Sequence, residues 1–321
     1  MNVIFSISGG AGKVVMATAV CKAIKKKYPD CKLIVVSGYP ELLINNPHVD
    51  KAFNFNALSY FYEDYIENKE IKAIVHDPYV QTEFLYQNEP LIKTWCEMND
   101  IPYNGEMPEI FLTKREIEHY QKNMITDKPI FLLQTNGGAD PNLKYSWARD
   151  MPSSTIIDIV DYYKDTHVIC HVKREDQETY PNTIPITATL RELCALALVS
   201  DKRLLIDSFM QHACASFKLP SVILWIANKP EVFGYDWNVN IKANAFTRKP
   251  DTRNAFLTKF NIGGEPFEFP YDDERDIFST ETIIKALEGY PLEEITKEAS
   301  AKASTNQQNA QVNNTINLIG D

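Results

Sequence analysis

The sequence lacks the excess of positive charge that marks many nucleic-acid-binding proteins. It has 33 Lys and Arg residues against 43 Asp and Glu residues in 321, which gives a net charge of −10. Sequence-independent binding to nucleic acid depends on cationic side chains that neutralise phosphates. Nucleic acid is therefore not the expected partner, although the net charge does not exclude a local basic patch.

Cysteine motifs and long apolar runs are missing as well. The six cysteines include no C-x-x-C pair, and most lie in apolar, periodic segments, which is typical of reduced thiols and not of a disulfide framework or zinc site. No apolar run reaches the length of a membrane span, and the first residues show no signal-peptide pattern. We therefore expect a soluble, cytoplasmic protein, for which peripheral contact with a membrane stays open.

What the sequence does contain is a repeated alternation of buried strands and helices. Hydrophobic residues make up 44% of the chain, enough for a substantial core. Strand-like runs at residues 3–7 and 32–37 flank a helical pattern, and this order predicts a parallel sheet in an α/β fold. Further strands are predicted at residues 52–55, 73–77, 130–134, 167–171, 203–206 and 221–225, and further helices at 91–98, 114–124, 153–163, 190–198 and 211–217.

The pattern restarts after Lys128 and Pro129, which predicts two domains. We place one Rossmann-like domain at residues 1–127 and a second at residues 128–297. From about residue 298 the composition changes to Ala, Ser, Thr, Gln and Asn. Because so few apolar residues cannot offset the entropy lost on ordering, residues 298–321 are predicted to be a disordered polar tail.

A glycine-rich turn follows the first predicted strand. Ser8, Gly9, Gly10 and Gly12 surround the start of a helix that carries Lys13, where free backbone N–H groups and the helix dipole favour an anion. The spacing matches neither a Walker A loop nor the G-x-G-x-x-G pattern. The turn is therefore either an anion-binding loop or a tight turn whose glycines permit close packing.

Polar residues also follow three predicted strands of the second half. They are Asn136, Gly137, Lys144, Glu175, Asp207, Ser208, Gln211 and His212. Taken singly, these residues are better explained as solvated charges, a helix cap or a buried histidine with a partner. The carboxyl ends of parallel strands share one edge of a sheet, where doubly wound folds bind ligands. Three such loops together therefore indicate a ligand site.

Several stretches of the chain resemble glycosyltransferase family 9, the heptosyltransferase family. They are residues 12–20, 25–30 and 41–50 in the first half and residues 192–196, 207–213 and 218–222 in the second. The stretches keep the order of the family, and the resemblance covers roughly residues 1–235.

The resemblance implies the GT-B fold, in which two Rossmann-like domains with parallel sheets face each other across a cleft. It also implies an inverting transfer, without metal or other cofactor, from a nucleotide-sugar donor to an acceptor, for which a glycan or glycolipid is expected. Carried over by position, Lys144 would meet the donor diphosphate, Glu175 the nucleoside, and Asp207, Ser208 and His212 the sugar and phosphates. A lysine and free N–H groups suit the charge that grows on a leaving nucleoside diphosphate.

Two positions depart from the family pattern. Lys13 stands where the family has an acidic residue, its proposed general base, and Phe209 stands where it has glycine. A lysine takes up a proton from the acceptor only if its pKa is strongly lowered. Either another carboxylate is the base, or Lys13 binds an anion, or the activity is lost. We take Asp77, at the end of the predicted strand at 73–77, as the substitute base; the alternatives are that Asp77 only caps a turn and that Lys13 points into solvent.

The leading hypothesis is thus a glycosyltransferase with the GT-B fold. One alternative is a catalytically silent nucleotide-sugar-binding protein on the same scaffold. The departures from the family pattern at Lys13 and Phe209 favour it. Another is a glycosyltransferase that acts on modified DNA bases, against which the net charge of −10 argues.

Deletion of residues 298–321 is expected to leave the melting temperature and the binding of a nucleotide sugar unchanged, because this segment has too few apolar residues to dock on the domains. Thermal unfolding and calorimetry of the truncated chain check this. A large fall in melting temperature would show that the segment contributes to the folded core.

Overall fold

In a computed structural model, the chain forms two parallel β-sheets with helices packed on them, which confirms the α/β class. The structure describes residues 1–87, 89–123, 127–137, 146–245, 247–249 and 269–291. The predicted tail and Lys144 lie outside these residues. Within them, no helix combines the length and apolar composition that crossing a membrane requires.

The first sheet has four strands in the order β3-β2-β1-β4. The elements of this half are β1 (Asn2–Ile7), α1 (Ala11–Lys27), β2 (Lys32–Ser37), β3 (Lys51–Asn54), α2 (Phe61–Tyr65), β4 (Ile71–Ile74), α3 (Thr82–Leu85) and α4 (Leu91–Glu97). The central strands β1 and β2 are mostly buried, as in parallel sheets that are covered on both faces. The direction of winding reverses between β1 and β4.

The second sheet has six strands in the order β10-β9-β8-β5-β6-β7. The elements are α5 (Lys114–Asn123), β5 (Ile130–Gln134), α6 (Ser153–Tyr163), β6 (Val168–Val172), β7 (Ile184–Ile186), α7 (Leu190–Val199), β8 (Lys202–Ile206), α8 (Phe209–Ser216), β9 (Val222–Trp225), α9 (Pro230–Phe233), β10 (Val239–Lys242) and α10 (Thr280–Leu287). Here the direction of winding reverses between β5 and β8.

The predicted elements match these closely, with β4 as the main exception. β4 ends at Ile74, well before the predicted end, because Asp77 accepts a hydrogen bond from the Tyr79 backbone N–H and starts a short 3-10 helix at Pro78–Val80.

The edge strands β7 and β10 were missed, since short and partly exposed strands carry little hydrophobic pattern. The helices α2, α3, α9 and α10 were missed as well. The first three have only four or five residues, too few to show a helical period, whereas α10 buries Ile283, Ala286 and Leu287 at helical spacing and was overlooked.

The two halves share one hydrophobic core, in which α1 packs against α8. Gly12 permits this contact, because a Cβ at residue 12 would lie 2.9 Å from Cδ2 of His212 and 3.4 Å from Cα of Phe209. Phe209 is 9% exposed and packs into the same core. The departure from glycine at residue 209 thus strengthens the contact between the halves.

Arg191, at the start of α7, also links the two halves. Its Nε and Nη2 donate to the two carboxylate oxygens of Glu116 on α5, at 2.6 Å and 2.9 Å. Its guanidinium also donates to the carbonyl oxygens of Glu41, at 3.0 Å, and Phe111, at 2.9 Å. The hydrogen bonds from Arg191 lower the pKa of Glu116 to about 2, because they favour the ionised carboxylate.

Glu116→Gln is expected to lower the free energy of unfolding at pH 7 by about 1–2 kcal/mol, because it removes one charge from a bidentate pair. A carboxyl group whose pKa is lowered on folding stabilises the protein fully above its ordinary pKa and loses this effect as the pH falls towards about 2. The difference between the two proteins should therefore shrink below about pH 4.5 in urea unfolding.

Glu118→Gln is the matched control on the same helix, because the pair between Lys114 and Glu118 is largely exposed and contributes little. Equal stability of Glu116→Gln and the unmodified chain at pH 7 would contradict the role given to this pair.

Candidate functional site

A cavity of about 800 Å³ lies at the carboxyl ends of the central strands of both sheets. It is lined by residues 9–13 after β1, by Asn136 and Gly137 after β5, and by Asp207 and Ser208 after β8. These loops lie where the winding of each sheet reverses. Doubly wound folds bind their ligands at such switch points, so the cavity is the candidate site.

Lys13 and Asp77 form an ion pair at the first switch point. Nζ of Lys13 lies 2.6 Å from Oδ2 of Asp77, and the Lys13 side chain is 4% exposed. The ammonium also lies 4.7 Å from the ring centroid of Tyr79 and 5.3 Å from that of Trp95. The alternative that Lys13 points into solvent is therefore wrong. A buried ammonium needs a counter-charge, and the carboxylate of Asp77, in the loop after β4, supplies it.

Asp77 is held at both carboxylate oxygens. Besides Lys13, Oδ2 accepts from the Ser8 hydroxyl at 3.3 Å, and Oδ1 accepts from the Tyr79 backbone N–H at 3.0 Å. Asp77 is therefore a turn cap and an ion-pair partner at the same time. Its side chain is still 36% exposed, so the carboxylate stays accessible. Asp77 does not line the cavity itself, whereas its partner Lys13 does.

Asp207 and Ser208 lie at the N-terminus of α8. Asp207 is 9% exposed and accepts from Nε2 of Gln211, at 2.8 Å, and from Nδ2 of Asn228. The Ser208 hydroxyl does not cap the helix but accepts from Nε2 of Gln134 at 3.5 Å. Gln211 is fully buried, so it orients Asp207 and does not line the cavity.

His212 lines the cavity where α1 and α8 meet. Its Nδ1 lies 2.8 Å from the Tyr235 hydroxyl. Burial lowers the pKa of His212 to about 4, with Asp207 opposing this effect and Arg149 adding to it. The ring is therefore neutral at pH 7. When the Tyr235 hydroxyl donates to Nδ1, the ring proton lies on Nε2, which is then a hydrogen-bond donor.

Arg149 and Asp150 are among the residues of the site that escaped the sequence reasoning. Asp150 is 2% exposed and accepts from the backbone N–H groups of Gly137, at 2.9 Å, and Ser146, at 2.8 Å, and from Nδ2 of Asn136 at 3.1 Å. It thereby holds the loop after β5. Arg149 lines the cavity itself. Both stand in a polar stretch without helical or strand periodicity, so no pattern singled them out.

No family model and no curated protein matches the chain. Solved structures do. The glycosyl transferase family 9 protein from Veillonella parvula aligns with a TM-score of 0.63 at 16% identity, over 89% of this chain and 96% of that one. ADP-heptose LPS heptosyltransferase II from E. coli aligns with a TM-score of 0.59 at 12% identity, over 75% and 90%.

The E. coli heptosyltransferase WaaC with ADP aligns with a TM-score of 0.51 at 10% identity, over 76% of this chain and 94% of that one. The chain has the GT-B fold of the family 9 glycosyltransferases. The fold that the sequence resemblance implies is thereby confirmed.

On this GT-B fold, most sequence-predicted residues lie at the cavity. Asn136, Gly137 and the exposed Glu175 line it beside Asp207 and Ser208. Within the described ranges, no group of three or more His, Cys, Asp or Glu side chains is arranged to hold a metal ion. The groups available for chemistry there are hydrogen-bond donors, cations and carboxylates.

Proposed function

We propose that this protein is a glycosyltransferase that moves a sugar from a nucleotide-sugar donor to a glycan or glycolipid acceptor, with inversion and without a metal ion. The observation that carries the proposal is the cavity at the switch points of both sheets, where the N-termini of α1 and α8 converge. The GT-B fold shared with heptosyltransferases, one of them solved with ADP, supports a nucleotide donor.

The donor diphosphate would lie at the N-terminus of α8, in a second domain at residues 128–297. The first N–H groups of a helix lack partners within the helix, and the helix dipole favours an anion there. The Ser208 hydroxyl and Nε2 of His212 add neutral donors. Glu175, exposed at the cavity, suits the hydroxyl groups of the nucleoside, and Lys144 is assigned to the diphosphate by its position in the sequence.

The acceptor would lie on the first domain, at residues 1–127, with Asp77 as general base. The base takes the proton of the acceptor hydroxyl while that oxygen attacks the anomeric carbon. An ionised lysine cannot accept this proton, whereas a carboxylate can. Lys13 therefore orients Asp77 and Asp77 acts on the acceptor. Each carboxylate oxygen has two lone pairs, so the present hydrogen bonds leave acceptor capacity on Oδ1.

Binding of a nucleotide sugar is the first test. A donor that binds only the folded protein at 100 times its Kd should stabilise it by about 2.7 kcal/mol, which raises the melting temperature. ADP-, UDP-, GDP- and dTDP-sugars are compared by thermal shift and calorimetry, with Glu175→Ala expected to weaken binding. No response to any nucleotide sugar would refute the proposal, and binding without transfer to any acceptor would favour the catalytically silent alternative.

Asp77→Asn is expected to lower kcat by at least about 100-fold while the Kd of the donor stays unchanged, because the amide keeps the size of the side chain but cannot take a proton. Pre-steady-state and steady-state transfer assays with the donor found above measure this. Ser8→Ala is the control, since it removes only the 3.3 Å hydrogen bond to Oδ2. Normal turnover of Asp77→Asn would place the base elsewhere.

A further inference from the structure

Arg149 lies in the cavity beside the N-terminus of α8. It lines the cavity together with Ser208 and His212. Its side chain passes directly over Gly137, because a Cβ at residue 137 would lie 2.7 Å from Cδ of Arg149 and 3.4 Å from Oγ of Ser208. Arg149 is thus anchored at the second switch point, where β5 and β8 end.

The guanidinium of Arg149 makes no hydrogen bond and no close ion pair with any described residue, although its charge acts to lower the pKa of the neighbouring Asp150. The carboxylate next to it in sequence, Asp150, is occupied by Gly137, Ser146 and Asn136. Arg149 is half-buried. Burying a guanidinium without a hydrogen-bond acceptor is unfavourable, because the group loses hydrogen bonds to water and gains none from the protein. An anion in the cavity would supply the acceptor that the described residues do not.

Two of the other cations that line the cavity differ from Arg149 in this respect. Lys13 is paired with Asp77, and Nε of Arg174 lies 3.0 Å from Oδ1 of Asp176. The charge of Arg149 also reaches across the cavity: burial lowers the pKa of His212 and raises that of Tyr79, and in both groups the Arg149 charge acts to lower the pKa. Of these cations, Arg149 is the one left to bind a ligand.

We propose that Arg149 binds the diphosphate of the donor and stabilises the leaving nucleoside diphosphate, a role that rests on the proposed glycosyl transfer. In that step the acceptor oxygen bonds to the anomeric carbon, the bond from this carbon to the phosphate oxygen breaks, and the electron pair stays on the phosphate. The acceptor proton goes to Asp77. The planar fork of a guanidinium matches two phosphate oxygens and meets the charge where it grows.

The same geometry gives Gly137 a role. Any side chain at residue 137 would push against Cδ of Arg149, in the middle of its chain, and turn the guanidinium away from its place beside α8. Gly137 is therefore a positioning residue for Arg149, and its substitution acts through Arg149.

Calorimetry with ADP, UDP and GDP and with the matching nucleosides tests the proposal on the full chain. Arg149→Ala should weaken binding of the preferred nucleoside diphosphate at least about tenfold, the usual effect of losing a hydrogen bond to a charged group, and leave nucleoside binding unchanged. The affinity of Arg149→Lys for the nucleoside diphosphate should lie between that of the unmodified chain and that of Arg149→Ala, because lysine keeps the charge but lacks the planar guanidinium. Arg174→Ala, which removes an already paired guanidinium, should cost less.

Gly137→Ala completes a double-mutant cycle. It should weaken nucleoside diphosphate binding in the unmodified chain but not in the Arg149→Ala chain, with thermal unfolding to verify that all variants fold. Wild-type affinity and turnover of Arg149→Ala would overturn the role of Arg149 while the transferase stands. If the losses of binding free energy in Gly137→Ala and Arg149→Ala add up in the double variant, the role of Gly137 is overturned. Absence of binding of these three nucleoside diphosphates and of dTDP to the unmodified chain would overturn this proposal and the nucleotide-donor function together.

Discussion

The packing of the N-terminus of α1 against the N-terminus of α8 is the contact on which the site depends. Helix N-termini carry partial positive charge, so bringing two of them together is electrostatically unfavourable unless negative charge lies nearby. The protein places one carboxylate at each, Asp77 beside α1 and Asp207 beside α8. Gly12 lets the backbones approach closely, and Phe209 fills the remaining apolar space.

This arrangement explains why a lysine is tolerated where the resembling family has an acidic residue. A cation in the first turn of a helix opposes the helix dipole. The ion pair with Asp77 and the contacts with the rings of Tyr79 and Trp95 offset this unfavourable interaction of Lys13. In this chain the carboxylate at this point of the fold, Asp77, lies in the loop after the neighbouring strand, β4.

The polar groups of the second half form a layered support for the cavity. Asp150 and Gln211 are buried and do not line the cavity. Asp150 holds the loop after β5 in place, and Gln211 holds the side chain of Asp207. Tyr235 fixes the ring of His212 from behind. Because these groups are buried and hydrogen-bonded, this side of the cavity is preorganised before any ligand binds.

The order and bounds of nearly all central strands and helices followed from the sequence alone, because buried strands and amphipathic helices leave a periodic pattern in the chain. So did the strand-end loops, since parallel strands bring their carboxyl ends to one edge. The pairing of Lys13 with Asp77, 64 residues apart, was decided only by the tertiary structure. The same holds for Gly12, whose missing Cβ matters only against α8, and for Arg149, whose position over Gly137 is set by the packing of the loops after β5 and β8. Local periodicity reports which face of an element is buried, and it contains no information on which two elements meet.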